Sequence, residues 1–182
     1  MQKNNELRWI QFVRDSNRIE GIHREPTKEE VLECDRFIHL DKIDISELVK
    51  FVKIYQPNAV LRDKKGLDVR IGNYLPPEGQ AAIRKWLNEL LSDIQTPAQG
   101  KRPLSAYEAH QQYEALHPFT DGNGRSGRML WFWMRKGNAP LGFLHHWYYD
   151  SLGEHRNQTV TVDVKKEEAI KALIKEKLSE KA

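Results

Sequence analysis

At 182 residues the chain is long enough to bury one core, and its 30% charged and 39% apolar residues are ordinary for a soluble globular domain. The net charge of +3, from 29 basic and 26 acidic residues, permits an anionic ligand but gives no ground for a nucleic-acid protein, whose basic residues cluster. A single cysteine, Cys34, excludes an intrachain disulfide and fits a reducing compartment, and its place in a helical pattern reads as a small buried hydrophobe.

Helical periodicity dominates from the start. Glu6 to about Glu20 sets Leu7, Ile10, Phe12, Val13 and Ile19 at near-helical spacing, and Gly21 follows as a stop. The opening residues lack the apolar core and small-residue cleavage site of a leader peptide. Thr27 and Glu30 have capping-box spacing, so a second helix starts there and carries Val31, Leu32, Cys34, Phe37, Ile38 and Leu40. A third is expected from Ser46 to about Gln56. Residues 60–75 combine a turn signal at Asp63–Gly66 with alternation around Arg70, which predicts a small β-hairpin. Helices are then expected over Pro77–Ile94 and Leu104–Leu116, and from Gly124 to about Lys136, ended by Gly137-Asn138. Beyond that, His145–Arg156 and Lys165–Lys181 read as helices and 158–164 as one short strand. The longest strongly apolar run, Met129–Met134, is far too short to cross a bilayer, so a cytoplasmic protein with no membrane partner is expected.

The chemistry concentrates in HPFTDGNGRSGR, residues 117–128. Pro118 should stop the preceding helix at His117, and Gly122 and Gly124 let the backbone turn and approach a ligand closely. The next helix starts with unpaired N–H groups that favour an anion. Arg125 and Arg128 share one face of its first turn, where two positive charges are unfavourable unless a polyphosphate meets them. Asp121 can hold a divalent cation that also binds phosphate oxygens, and His117 stands where a general base would. Gly127, inside the helix, suggests close approach of another group. A Walker-type phosphate loop is excluded, because no G-x-x-x-x-G-K-[ST] occurs.

This stretch resembles the signature of the Fic family, HPFx(D/E)GNGRxxR, at every specified position. The resemblance implies an all-α, Fic-type helical bundle with a small β-hairpin flap, which moves AMP from ATP onto a protein hydroxyl with Mg2+. Carried over by position, His117 is the catalytic base and Asp121 the metal ligand. Gly122, Asn123, Gly124, Arg125 and Arg128 hold the nucleotide, and Phe119 points inward as an anchor. The flap that docks the target would be Gly66–Leu75, with Asp68, Val69, Arg70, Ile71 and Gly72 as its edge. SNRIEG, residues 16–21, resembles the family's inhibitory motif (S/T)xxxE(G/N). Ser16, Glu20 and Gly21 would then restrain the enzyme, with Glu20 pairing Arg128 and blocking productive seating of the γ-phosphate.

These readings divide the chain into an inhibitory region (1–25), a Fic core (26–156) and a charged C-terminal segment (157–182). They describe an autoinhibited protein adenylyltransferase acting on an unidentified protein target, itself included, with room for a homo-oligomer. The reverse reaction, removal of AMP with Glu20 as the base for water, uses the same residues. A catalytically idle peptide-binding module is the alternative from another class. Kinase-like transfer is disfavoured, since the toxin branch of the superfamily has lysine where Gly124 stands. His110 reads as a core or supporting histidine, His145 and His146 as packing and surface, Trp131 and Trp133 as core. Tyr148 and Tyr149 line the nucleobase pocket or pack in the core.

Overall fold

In a computed structural model, which describes residues 2–97 and 99–138, six α-helices form the described part of the chain. They are α1 (Gln2–Ile19), α2 (Lys28–Ile38), α3 (Ile45–Tyr55), α4 (Ala81–Gln95), α5 (Ala106–Leu116) and α6 (Asn123–Met134). The expectations for His145, His146, Tyr148, Tyr149, the 158–164 strand and the C-terminal helix and segment lie outside the described residues.

Local chemistry sets the starts. Thr27 accepts from the Glu30 N–H at 3.2 Å while the Glu30 carboxylate accepts from the Thr27 N–H at 2.8 Å, so the expected capping box forms. Ser105 and Glu108 make a second box at the start of α5. Asp44 caps α3 by accepting from the Glu47 N–H at 3.0 Å. At the other end, α1 stops in a Schellman turn. Gly21, at φ 74°, donates to the Arg18 carbonyl, and Ile22 donates to that of Asn17.

The apolar helix α6 lies at the centre, packed against α1, α2, α3 and α5. From Arg125 to Phe132 every residue of it is buried. Phe132 stacks on Phe12 of α1 with ring centroids 4.0 Å apart and meets the edge of Trp9 at 5.6 Å. The polar ends of the tryptophans find partners: the Trp9 indole donates to Asp35 and the Trp133 indole to the Leu40 carbonyl. Trp131 is core, as expected, whereas Trp133 is partly buried against it.

Two expectations are corrected. The helix expected from Pro77 starts four residues later, at Ala81. The intervening backbone is engaged elsewhere: the Pro77 carbonyl accepts from Arg62, the Gly79 N–H donates to Asp68, and the Gln80 N–H donates to the Arg62 carbonyl. The β-hairpin flap does not form as strands. Residues 66–75 make an irregular loop whose only ladder-like feature is one bridge between Ile71 and Tyr74, closing a turn at Gly72-Asn73. A two-stranded ribbon without a third strand or an apolar face to bury is marginal in water. Here side chains take over the loop's polar groups: Asp68 holds Gly79, Arg70 donates to the Gly72 carbonyl, and Tyr74 donates to the Ala115 carbonyl.

Candidate active site

The loop between α5 and α6 is held from outside and from within. Outside, residues 60–62 run antiparallel to it. Thr120 donates to the Val60 carbonyl, Arg62 to that of Pro118, and Leu61 and Phe119 form a bridge. Phe119 points into the core, as the resemblance implies. Within, the Asn123 amide spans the loop, accepting from the Phe119 N–H and donating to the Phe119 carbonyl, both at 2.8 Å. Its side chain is therefore a loop brace. What Asn123 has for a ligand is its backbone N–H.

His117 closes α5 at φ 48° and ψ 63°. The helix stops where Pro118 predicts, yet the histidine is left-handed rather than extended. A non-glycine residue there costs roughly 1–3 kcal/mol and needs support from its surroundings. Arg62 supplies it. Its side chain is 0% exposed, and it donates to the carbonyls of His117 (2.7 Å), Leu116 (3.0 Å) and Pro77 (2.9 Å). A guanidinium thus caps the negative end of α5 and fixes the backbone of His117. Burial pushes the Arg62 pKa down from its ordinary value. Sequence reasoning missed this residue, because its partners are backbone groups far along the chain.

α6 opens at Gly122, which is left-handed at φ 78° and makes no side-chain cap. The first N–H groups of the helix therefore have no side-chain acceptor at the cap position. Arg125, two residues in, is buried, with its guanidinium 4.9 Å from the Tyr55 ring centroid. Its Nε is buried without a hydrogen-bond partner, and burial lowers its pKa despite the nearby carboxylate of Glu20. An orphaned cationic donor beside an uncapped helix N-terminus fits an anion such as a polyphosphate.

Arg128 is 1% exposed and meets α1. Its Nε donates to the Ser16 hydroxyl at 2.9 Å, and its terminal nitrogen donates to the Ser16 carbonyl at 3.1 Å and to Glu20 at 2.5 Å. The Glu20 carboxylate is about a third exposed, at 36%, and lies over the loop: a Cβ on Gly124 would fall 2.6 Å from its Oε1. The structure thus brings Ser16, Glu20 and Arg128 together, and Gly21 ends the helix that presents them. Asp121 is exposed, and its carboxylate accepts from the Gly122 N–H at 2.5 Å. No group of three or more His, Cys, Asp or Glu able to hold a metal occurs among the described residues. A lone exposed carboxylate such as Asp121 could serve a cation only if the cation brought other oxygen ligands with it. Asp68, Val69, Arg70, Ile71 and Gly72 are not in the loop. Their segment is linked to it through Tyr74 and the Ala115 carbonyl.

Gly127 is explained by α5: a Cβ there would fall 2.7 Å from Glu114 Oε1 and 3.0 Å from the Tyr113 ring. The Tyr113 phenol and the Ser126 hydroxyl, 2.7 Å apart, join the two helices beside it.

A helical bundle with a central helix beginning in a glycine–arginine loop defines the class, and comparison with known proteins agrees. Residues 37–134, more than half of the chain, match the Fic/DOC family, and the chain belongs to it. A protein of Culex quinquefasciatus named protein adenylyltransferase Fic is 35% identical over 95 residues. That stretch is 46% of this chain and only 18% of the Culex protein. No helix among the described residues is long and apolar enough to cross a membrane.

Proposed function

We propose that this chain is a protein adenylyltransferase, moving AMP from ATP to a hydroxyl side chain of a protein target or of itself, and that Glu20 restrains it. Family membership and the Culex relative's name support the transferase class. One observation carries the finer reading: of the two arginines at the head of α6, Arg125 has an orphaned buried donor while Arg128 is taken by Glu20 and Ser16. A polyphosphate would satisfy the first and compete with the carboxylate for the second.

In this reading His117 accepts the proton of the target hydroxyl, whose oxygen bonds to the α-phosphorus as the bond to pyrophosphate breaks. The N–H groups of Gly122, Asn123 and Gly124, with Arg125 and Arg128, neutralise phosphate charge. Asp121 would be the residue to hold Mg2+, which when bound would supply charge neutralisation for the pyrophosphate leaving group. The 68–72 segment would dock the target. Residues 1–25 act as the inhibitory region, 26–156 as the catalytic core and 157–182 as a charged appendage.

The test compares wild type, Glu20→Gly and Arg128→Ala with labelled ATP. A carboxylate–guanidinium contact of about 1–3 kcal/mol corresponds to roughly 5–150-fold in the competent population, toward the low end here because Glu20 is partly exposed. Glu20→Gly should raise labelling of itself and of a lysate by that order. Arg128→Ala should not, because it also discards a phosphate contact. A Glu20→Gly protein no more active than wild type refutes the inhibitory reading. A second reading, removal of AMP with Glu20 activating water, is favoured by the carboxylate's exposure over the phosphate loop. Loss of AMP removal in Glu20→Gly would identify it.

A further inference from the structure

The reaction sketched above leaves a buried acid beside His117 unused. Glu114 lies on α5 one turn before His117 and is 3% exposed. Its two oxygens face two imidazoles: Oε2 is 3.9 Å from Nδ1 of His117, and Oε1 is 3.7 Å from Nε2 of His110. The spacing follows from the helix, since positions 110, 114 and 117 fall on one face.

Room for this carboxylate is built into α6. Gly127 stands where any Cβ would collide with Glu114 Oε1, and the Tyr113–Ser126 contact fixes the two helices beside it. His117 Nδ1 has no solvent exposure, although the side chain as a whole is 14% exposed. Nε2 is therefore the ring nitrogen able to meet a substrate. Arg62 donates to the backbone carbonyl of the same residue.

We propose that Glu114 is a positioning residue for the His117 base. At 3.9 Å, beyond hydrogen-bond distance, it acts through its charge: it favours a protonated Nδ1 turned inward, so that the lone pair sits on Nε2, and it stabilises the imidazolium formed when Nε2 takes the target's proton. His110 lies within ion-pair range of the other oxygen, at 3.7 Å. Glu114 itself exchanges no atom with substrate. The inference rests on His117 being the base. Among the described residues, the titratable groups set against Glu114 include His110 and His117 on its own helix, with the Tyr113 phenol adjacent. α6 contributes Gly127 and Ser126, neither of which is charged, and Arg62 meets backbone carbonyls rather than this carboxylate.

Glu114→Gln, made in both wild type and Glu20→Gly, is the variant to test with labelled ATP. It should lower kcat about 10–100-fold, the range for partners that orient a functional imidazole, with KM for ATP unchanged. A carboxylate neighbour raises an imidazole pKa, so its loss lowers it, and the acid limb of the kcat–pH profile should move to lower pH. A purely structural role would reduce the amount of folded enzyme without moving that limb. Wild-type kcat with an unmoved limb overturns the proposal.

Nitrogen-15 NMR of the wild-type imidazoles gives a second readout that survives a variant that fails to fold. His117 should be the Nδ1–H tautomer, and an Nε2–H tautomer overturns the proposal. This measurement needs no turnover, so it separates the two failures. Transfer retained by His117→Ala would remove the base assignment and the proposal with it, whereas a wrong tautomer in an enzyme that needs His117 would remove the proposal alone.

Discussion

Arg62 shows how one side chain can set the geometry of a site it does not enter. It is enclosed, its charge is held by carbonyl groups, and the helix end it caps carries His117. Replacing it by methionine would keep much of the volume and leave the carbonyls of Leu116, His117 and Pro77 without that donor. Hydrogen bonds to charged groups contribute about 1.5–3 kcal/mol each and do not add fully, so a loss of roughly 3–5 kcal/mol is expected in urea unfolding. That corresponds to about 6–20 °C in Tm. Lysine should rescue little, because one ammonium cannot serve three carbonyls in a plane. An Arg62→Met protein within about 1 kcal/mol of wild type would mean that the left-handed His117 is supported by other contacts. The sequence could not have revealed this residue. Position 62 stands just before the turn signal at Asp63–Gly66, next to Asp63, Lys64 and Lys65, where an arginine reads as one more surface charge. The loop residues 117–128 were legible because residue types that share no structural use stand together in one short stretch. Asn123 was only half legible, since an amide bracing its own loop looks like an amide meant for a ligand.

At the level of elements, legibility followed the range of the interactions. Capping is local, and the Thr27–Glu30 box appeared where its letters stood. The hairpin failed because alternation around Arg70 is a local signal, while Asp68, Tyr74 and Arg62 bind groups outside the segment and leave one bridge. The start of α4 moved for the same reason. The α5–α6 joint offers a test of how such non-local polar contacts work. The Ser126 hydroxyl meets the Tyr113 phenol and also donates to the Gly122 carbonyl at 2.9 Å. Burial pushes the Tyr113 pKa far above its ordinary value, so the phenol stays neutral and needs a partner. Ser126→Ala strands that phenol in the core and should cost about 1–3 kcal/mol. Tyr113→Phe removes the need instead and leaves Ser126 its own carbonyl, so it should cost about 1 kcal/mol or less. Comparing the two by denaturant unfolding checks the asymmetry. Equal losses would show that the joint works by packing rather than by hydrogen bonding.

For the molecule as a whole, the restraint proposed for Glu20 raises a question of release, because the helix that would carry it is also part of the core. α1 delivers Ser16 and Glu20 to Arg128, but the same helix buries Trp9, Phe12 and Val13 against the centre, with Phe12 stacked on Phe132. Removing a buried aromatic side chain costs about 3–5 kcal/mol, against a total stability of roughly 5–15 kcal/mol for a domain. Undocking the whole helix is therefore too costly to be a regulatory step. If Glu20 restrains the enzyme as proposed, release would be local, confined to the last turn, where Glu20 is partly exposed and Gly21 ends the helix. Deleting residues 2–22 should thus give a protein that melts far lower and exposes apolar surface to a dye. Its labelling per folded molecule should not exceed that of Glu20→Gly. Ser16→Ala removes one hydroxyl from Arg128 and leaves the aromatic packing untouched. It should raise transfer part of the way to Glu20→Gly, with Tm falling by only about 2–4 °C for each kcal/mol lost. Melting curves and labelled-ATP incorporation on the three proteins decide the matter. If the deletion stays as stable as wild type and as active as Glu20→Gly, α1 is a separable inhibitor, and its packing against Phe132 contributes little to holding α6 in place.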